Sequence, residues 1–316
     1  QAEDGIRDLV RSRGLGDVYK RQIIAIGFFD GVHLGHQQVI KRACQMAKKQ
    51  HLPCGIMTFT PHPKEVIGIR DHIDQITPLE KKLELVEKHG IDFAYVVHFS
   101  KEFASIAPSD FIEEFLMKLQ IKGVVIGFDF TFGSMGSGTA ETLMELSNGR
   151  YFVDVVEPFY DHGEKVSSTR IRDYLLSGKV ADANRLLGRN YSFLGRVVHG
   201  DKRGRTIGFP TANLQLVGDY LSMKKGVYAC LVHVRGETHL GVMNIGYNPT
   251  FEKKRIIASY EVHILDFNAE IYDEVLEVEL IEFIRNEKKF DRMEALIKQI
   301  QADVDYAKRI MADSMI

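Results

Sequence analysis

The stretch that most restricts the fold is a ten-residue turn, Gly27-Phe28-Phe29-Asp30-Gly31-Val32-His33-Leu34-Gly35-His36. Ile23-Ile24-Ala25-Ile26 precedes it, an apolar run of the length and texture of a buried strand. After it Val39, Ile40, Ala43, Cys44 and Ala47 recur at helical spacing. The decapeptide is therefore a strand-to-helix turn, with glycines where the backbone passes close to something. A helix N-terminus presents N–H groups and the positive end of a dipole, which makes this turn a natural phosphate seat. His33 and His36, at i and i+3, add two ring donors beside it. On these ten residues alone, plain turn glycines and capping histidines fit equally well.

A chain of 316 residues is long for one domain and predicts two. Its net charge of −2 gives no bulk attraction to nucleic acid or to a membrane surface. No apolar run approaches the ~18–20 residues of a membrane span. Cys44, Cys54 and Cys230 are widely spaced and lack Cys-x-x-Cys geometry. They point away from a disulfide framework or zinc site and toward a reducing cytoplasm. Residues 1–22 carry no initiator Met, no apolar period and no signal-peptide core. They read as a non-native or disordered leader joined to a truncated gene, outside the fold.

From 23 onward, strand-like and helix-like segments alternate. Gly55-Ile56-Met57-Thr58-Phe59 predicts a second strand, closed by the rigid Thr60-Pro61-His62-Pro63 loop at the end where open α/β sheets bind ligands. Thr77-Pro78-Leu79-Glu80 predicts an N-cap, an N1 proline and a capping-box Glu, with Leu79, Leu83, Leu85 and Val86 on the buried face and Gly90 as the stop. Phe93–Val97, Val124–Ile126 and Val153–Val156 are further strands, and Pro108 opens a helix with Phe111, Ile112, Phe115, Leu116 and Leu119 on one face. This alternation predicts a doubly wound parallel sheet, an α/β fold. Gly133–Gly138 is a phosphate loop or an ordinary flexible linker. Phe128, Phe130 and Phe132 alternate with Asp129 and Thr131 as on a strand, either as core aromatics or as platforms for a flat ring. Val166-Ser167-Ser168-Thr169-Arg170-Ile171-Arg172 puts hydroxyls and two arginines at a helix start, where arginine opposes the dipole unless an anion is bound. A simple Ser/Thr cap with exposed arginines also fits.

Four motifs in this order carry a resemblance: Gly-x-Phe-Asp-Gly-x-His-x-Gly-His, Thr-Phe-x-Pro-His-Pro, Gly-x-Asp-Phe-x-Phe-Gly and Ser-Ser-Thr-x-Ile-Arg. Together they resemble the adenylyltransferase module of bacterial bifunctional riboflavin kinase/FAD synthetases. The resemblance implies ATP contacts at Gly27, Phe28, Asp30, Gly31, Asp129, Ser168, Thr169 and Arg172. It implies catalytic roles for His33 and His36 and flavin contacts at Phe59, Pro61 and Phe130. Position 28 is Phe where that family often has Asn.

Near Leu187-Gly188-Arg189 the texture changes. Phe193–Val198, Val227–Val234, His239–Ile245, Ile256–Leu265 and Val275–Ile284 are strand-like runs with no helical period between them. They predict a small antiparallel β-barrel beginning near residue 185, giving domains 23–184 and 185–316. A C-terminal helix follows, capped by Asp291 with Glu294 at N3 and a stripe of Met293, Leu296, Ile300, Val304, Ala307 and Met311. In the loop Gly204–Leu214, Thr211 and Asn213 are hard oxygen ligands suited to Mg²⁺ on ATP phosphates, or else they bond their own backbone. Pro210-Thr211-Ala212-Asn213 is similar to the flavokinase signature, and Asn248-Pro249-Thr250-Phe251 and Tyr260-Glu261-Val262-His263 stand at family-like positions. This second resemblance implies nucleotide contacts at Gly208, Pro210, Thr211 and Asn213, with Mg²⁺ on Thr211 and Asn213. It also implies Glu261 as the base for the riboflavin 5′-hydroxyl, with Arg285 and Phe290 on the flavin side.

The two resemblances together imply a bifunctional, cytoplasmic enzyme, a monomer or weak homo-oligomer. It would phosphorylate riboflavin with ATP to FMN, then adenylylate FMN with ATP to FAD and pyrophosphate. A class I tRNA-synthetase relative would want a Lys-Met-Ser-Lys-Ser-like loop and a basic RNA-binding domain. A flavin-binding regulator would not need both histidines with Thr211, Asn213 and Glu261. A single-activity version with one silent domain is the third alternative.

Overall fold

The computed structural model describes residues 21–69, 72–200, 204, 207–249 and 256–313. Arg205, Thr206, Thr250 and Phe251 and most of the leader lie outside them. Two compact units divide the chain, residues 1–167 and 168–316.

In the first unit, β1 (Gln22–Ile26), β2 (Cys54–Thr60), β3 (Phe93–His98), β4 (Ile121–Gly127) and β5 (Phe152–Val156) form a parallel sheet in the order β3-β2-β1-β4-β5. The central strand β1 is buried throughout, which explains its unbroken apolar run. Its side chains alternate between two cores. Ile24 and Ile26 face a layer with Leu116 and Leu143, whereas Ile23 and Ala25 face one with Val39, Ile40 and Val86. Helices therefore cover both faces: α1 (Leu34–Gln50) and α3 (Leu79–Lys88) on one, and α5 (Pro108–Phe111), its π-helical continuation Ile112–Met117 and α6 (Ala140–Ser147) on the other, while the short α2 (Pro63–Val66) and α4 (Lys101–Ala104) follow β2 and β3. β1 starts one residue ahead of the apolar run. Gln22 is buried, and its amide nitrogen donates to Tyr95 Oη and the Leu119 carbonyl at 2.7 Å each.

Two glycines in this sheet are dictated by the register. Gly55 pairs with Phe93 and Gly123 with Phe152, and each phenyl ring lies over its glycine. A Cβ on Gly123 would meet the Phe152 ring at 2.0–2.5 Å. Gly123→Ala is therefore expected to destabilise this unit by about 1–3 kcal/mol, the usual cost of overpacking. Urea unfolding followed by the unit's own transition checks it; an unshifted midpoint would show that the ring moves freely.

Some local expectations change. Thr77 does not cap α3. Its hydroxyl accepts from Gly31 N–H at 2.9 Å, and its own N–H donates to Asp30 at 3.1 Å. The tether to the β1–α1 turn outcompetes the cap. The buried face of α3 holds Leu85 and Val86, as the spacing predicts, but also Lys81 and Lys82. Phe128–Phe132 is not a strand: β4 ends at Gly127, and Phe132 instead bridges Gly138, closing a turn in which Met135 is fully exposed. Cys44 and Cys54, distant in sequence, have their Sγ atoms 2.7 Å apart as free thiols.

The second unit opens with α7 (Ser168–Ser177) and α8 (Val180–Leu187), then β8 (Tyr191–Val198), β9 (Ala212–Leu216), β10 (Gly226–Val234), β11 (Glu237–Pro249), β12 (Ile256–Ile264) and β13 (Val275–Arg285). These strands close an antiparallel barrel in the order β10-β11-β12-β9-β8-β13. Asn184 of α8 fixes the helix to the barrel, its amide donating to the Leu280 carbonyl and its oxygen accepting from Tyr191 N–H. The terminal α9 (Met293–Asp313) packs Val304, Ala307 and Ile310 on Val227, Ala229 and Val242. The expected stripe is thus right at its centre and wrong at its start, where Met293 is exposed and the helix begins two residues past Asp291.

Candidate active sites

In a parallel sheet ordered β3-β2-β1-β4-β5, the strand order reverses between β1 and β4, and the crevice beyond their C-terminal ends is where such folds bind ligands. The β1–α1 turn occupies that position. It is strained: Phe29 and Val32, neither a glycine, have φ of 55° and 43°. Such positions cost about 1–3 kcal/mol each and persist only where the surroundings over-determine them. Asp30 does so here. Buried, it accepts from the N–H groups of Ile76 and Thr77, while Gly31 N–H donates to Thr77.

His33 is the N-cap of α1, its Nδ1 accepting from His36 N–H at 3.3 Å. In neutral His33 that bond leaves Nε2 as the protonated nitrogen. The His36 ring stacks on His33 with centroids 3.6 Å apart, and the Phe29 ring meets it edge-on at 5.3 Å. His36 N–H is capped and Gln37 N–H bonds the His33 carbonyl. Helix geometry gives the two preceding N–H groups, of Leu34 and Gly35, no intrahelical partner. Burial, then the charges of His33, Lys82 and Lys165, hold the His36 imidazole well below its ordinary pKa. Its Nδ1 is buried without a hydrogen-bond partner.

Two cations here escaped the sequence reading. Lys82 is 1 % exposed and donates to the Phe28 carbonyl at 2.9 Å and to Thr58 Oγ1 at 3.4 Å, 4.1 Å above the Phe28 ring. Lys165, on β7 (Glu164–Lys165), which pairs with β6 (Tyr160–Asp161), donates to Asp129 at 2.6 Å and lies over the Phe128 ring. Lys82 was findable, since it lies three and four residues before Leu85 and Val86, on the face that α3 buries.

Of the expected flavin contacts, Phe59 is buried against Phe99 and Phe103, and Phe130 is half-buried and stacked on Phe132. Pro61 follows a cis peptide bond at the end of β2. Asp129 is exposed and paired with Lys165. Ser168, Thr169 and Arg172 form the first turns of α7, in the second unit.

On the barrel, register does the assembling. Leu214, Tyr260, Val262, Met243 and Ile245 are buried, so the residues alternating with them face outward. Asn213 pairs directly with Glu261 across β9–β12, and Glu261 with Asn244 across β12–β11. Directly paired residues have Cβ atoms about 4.5–5.5 Å apart. Thr211 lies two residues before Asn213, immediately ahead of β9. Gly200 and Gly204 lie against this row: a Cβ on Gly200 would meet Asn213 Nδ2 at 2.1 Å, and one on Gly204 the Phe209 carbonyl at 2.3 Å and Thr211 Oγ1 at 3.4 Å. Thr211 and Pro210 also line a cavity of about 240 Å³ walled by Val197, Ala212, Val262 and Ile264, with Tyr272 at its rim. Gly208 takes φ of 87°, with open space where a Cβ would sit. Asn244 acquires its place only through strand register, and Gly200 and Gly204 lie between β8 and β9, outside any strand. Arg285 is engaged with α9: its guanidinium donates to both Asp303 oxygens at 2.7–3.0 Å. It also lies over the Phe290 ring, 5.9 Å from its centroid.

Two sets of groups suited to phosphate, one in each unit, define a two-centre group transferase. Residues 17–170 match the FAD synthetase family and residues 187–311 the riboflavin kinase family. The bifunctional riboflavin kinase/FMN adenylyltransferase of Listeria monocytogenes is 46 % identical over 283 residues, spanning 89 % of this chain and 90 % of its own. Its Bacillus subtilis counterpart is 44 % identical, spanning 93 % of each. A solved Streptococcus pneumoniae chain described as a macrolide-efflux protein shares the architecture at TM-score 0.85 and 35 % identity, covering 92 % of this chain and 96 % of that one. Among the described residues here, no helix is long and apolar enough to cross a membrane. The chain belongs to the bifunctional riboflavin kinase/FMN adenylyltransferase family. It converts riboflavin to FMN with one ATP and FMN to FAD with another.

Proposed function

We propose that the two reactions divide between the two sets of residues. Residues 23–184 serve adenylyl transfer and 185–316 the kinase, a division supported by family matches that end at 170 and resume at 187. The observation that carries this reading is convergence within each unit: the His33–His36 stack at the start of α1, and the Asn213–Glu261 pair across β9–β12.

For FAD formation, the β1–α1 turn seats the ATP phosphates. Imidazole N–H groups of His33 and His36 and the N–H groups of Leu34 and Gly35 stabilise charge as the FMN phosphate attacks the α-phosphorus and pyrophosphate leaves. The FMN phosphate is already an anion, so this step asks for little base catalysis.

For FMN formation, Glu261 accepts the proton of the riboflavin 5′-hydroxyl as that oxygen attacks the γ-phosphorus and the bond to ADP breaks. Thr211 and Asn213 suit Mg²⁺, being hard neutral oxygens in a row that Gly200 and Gly204 leave uncrowded. An ion held there with ATP would supply neutralisation of phosphate charge. The cavity beside Thr211 gives a nucleotide room next to that hydroxyl. All three cysteines are free thiols, which suits a cytoplasmic enzyme.

Gly200→Ala tests the kinase half without touching an expected ligand. Its methyl displaces the Asn213 amide, so FMN formation falls at least tenfold, about the weight of one charge-assisted contact. Adenylylation of supplied FMN is unchanged. An unaltered rate of riboflavin phosphorylation in this variant removes Asn213 from the reaction.

A further inference from the structure

We propose that Lys82 of α3, which lies outside every motif shared with the family signatures, is a positioning residue for adenylyl transfer: its buried ammonium fixes the Phe28 carbonyl and forms the positive floor of the ATP phosphate seat. The proposal rests on the reading of the β1–α1 turn as that seat.

A lysine enclosed this completely is costly unless something nearby keeps its charge. The groups facing it come from three elements. The turn supplies the Phe28 carbonyl and ring and the Asp30 carboxylate, and β2 supplies the Thr58 hydroxyl. His36 of α1 feels the Lys82 charge along with those of His33 and of Lys165 from β7. Thr58 Oγ1 itself donates to the Phe28 carbonyl at 2.9 Å, so lysine and threonine together fix the one peptide at which β1 becomes the turn. Asp30 is meanwhile occupied by the N–H groups of Ile76 and Thr77. The ammonium thus donates to neutral oxygens, the Phe28 carbonyl and Thr58 Oγ1, in a turn suited to a polyanion.

The consequence is a pH dependence. Burial, opposed by Asp30, pushes Lys82 down to about 8. Below that pH the residue is charged and the seat is positive; above it the charge is lost. A bound triphosphate favours the charged form, so affinity for ATP in the adenylylation reaction falls as pH rises through about 8. Riboflavin phosphorylation by the same chain lacks this dependence on Lys82 and serves as the internal control.

The test uses the full chain with Lys82→Met and Lys82→Arg, measuring both half-reactions from pH 6 to 9.5 with ATP varied. Lys82→Met is expected to raise the KM for ATP in FAD formation by about 10–100-fold, the weight of a charge-assisted contact, with a smaller change in kcat and no falling limb near pH 8. Lys82→Arg keeps its charge and moves that limb above the range measured. If Lys82→Met leaves both KM and the limb as in the wild type, the proposal is overturned. Should Lys82→Met fail to fold, Lys82→Arg decides alone: a limb still at about 8 belongs to another group and overturns the assignment. His36→Ala separates the two levels. If it leaves FAD formation intact, the seat itself is misplaced; if it abolishes FAD formation while the lysine variants behave as wild type, only the role of Lys82 fails.

Discussion

His36→Ala stops the conversion of FMN to FAD and leaves the conversion of riboflavin to FMN at its full rate. The imidazole is stacked on His33, flanked by Phe29 and held neutral by burial and by neighbouring positive charge, Lys82 and Lys165 included. Alanine removes a preorganised donor from the place where charge accumulates on the leaving pyrophosphate, which typically costs about 10²–10³ in rate. It also removes the ring that holds His33 in place, so the loss should reach the upper end of that range. The main chain of α1 is untouched, because the cap runs from His36 N–H to the His33 side chain. Chromatographic resolution of FMN and FAD after incubation with riboflavin, ATP and Mg²⁺ shows the outcome: FMN accumulates and FAD does not. Loss of both products from a folded variant contradicts the division of labour.

Glu261→Ala has the opposite signature. Without a carboxylate to take the 5′-hydroxyl proton, riboflavin phosphorylation falls by about 10²–10⁴, the usual contribution of a positioned general base. FAD formation from supplied FMN continues. Glu261 is half-buried on the outward face of β12, and the barrel interior beside it is filled by Tyr260 and Val262. The substitution therefore leaves the core packing intact. Glu261→Gln keeps the shape and removes only the basicity, so it should be as inactive as the alanine variant. A glutamine enzyme that still phosphorylates riboflavin rapidly shows that the carboxylate only orients the hydroxyl.

The parallel sheet was legible because its inner strands β1, β2 and β4 are short apolar runs buried on both faces, and the barrel because no helical period interrupts its strands. The histidine pair was legible because its chemistry lies within four residues. What stayed hidden depends on contacts between distant segments. Thr77 looks like a helix cap until Gly31 and Asp30 claim its hydroxyl and N–H. Lys82 lies on the Leu85–Val86 side of α3 by spacing alone, but its partners, the Phe28 carbonyl and the Thr58 hydroxyl, come from distant segments. Asn244 enters the kinase face only because β11 pairs it with Glu261. Arg285 carries a flavin-side resemblance, yet its guanidinium is closed on Asp303, 18 residues away on α9. Phe128–Phe132 alternates like a strand, but a bridge from Phe132 to Gly138 ends the regular structure first.

Mixing the two single-site variants puts the central claim, two separate centres acting in series, to its most direct test. Neither His36→Ala nor Glu261→Ala alone makes FAD from riboflavin: the first stops at FMN, the second at riboflavin. Combined in one tube with ATP and Mg²⁺, they are predicted to make FAD, as FMN released by the first variant is adenylylated by the second. If the mixture of two folded variants yields FMN but no FAD, the two centres are not independent and the account is wrong.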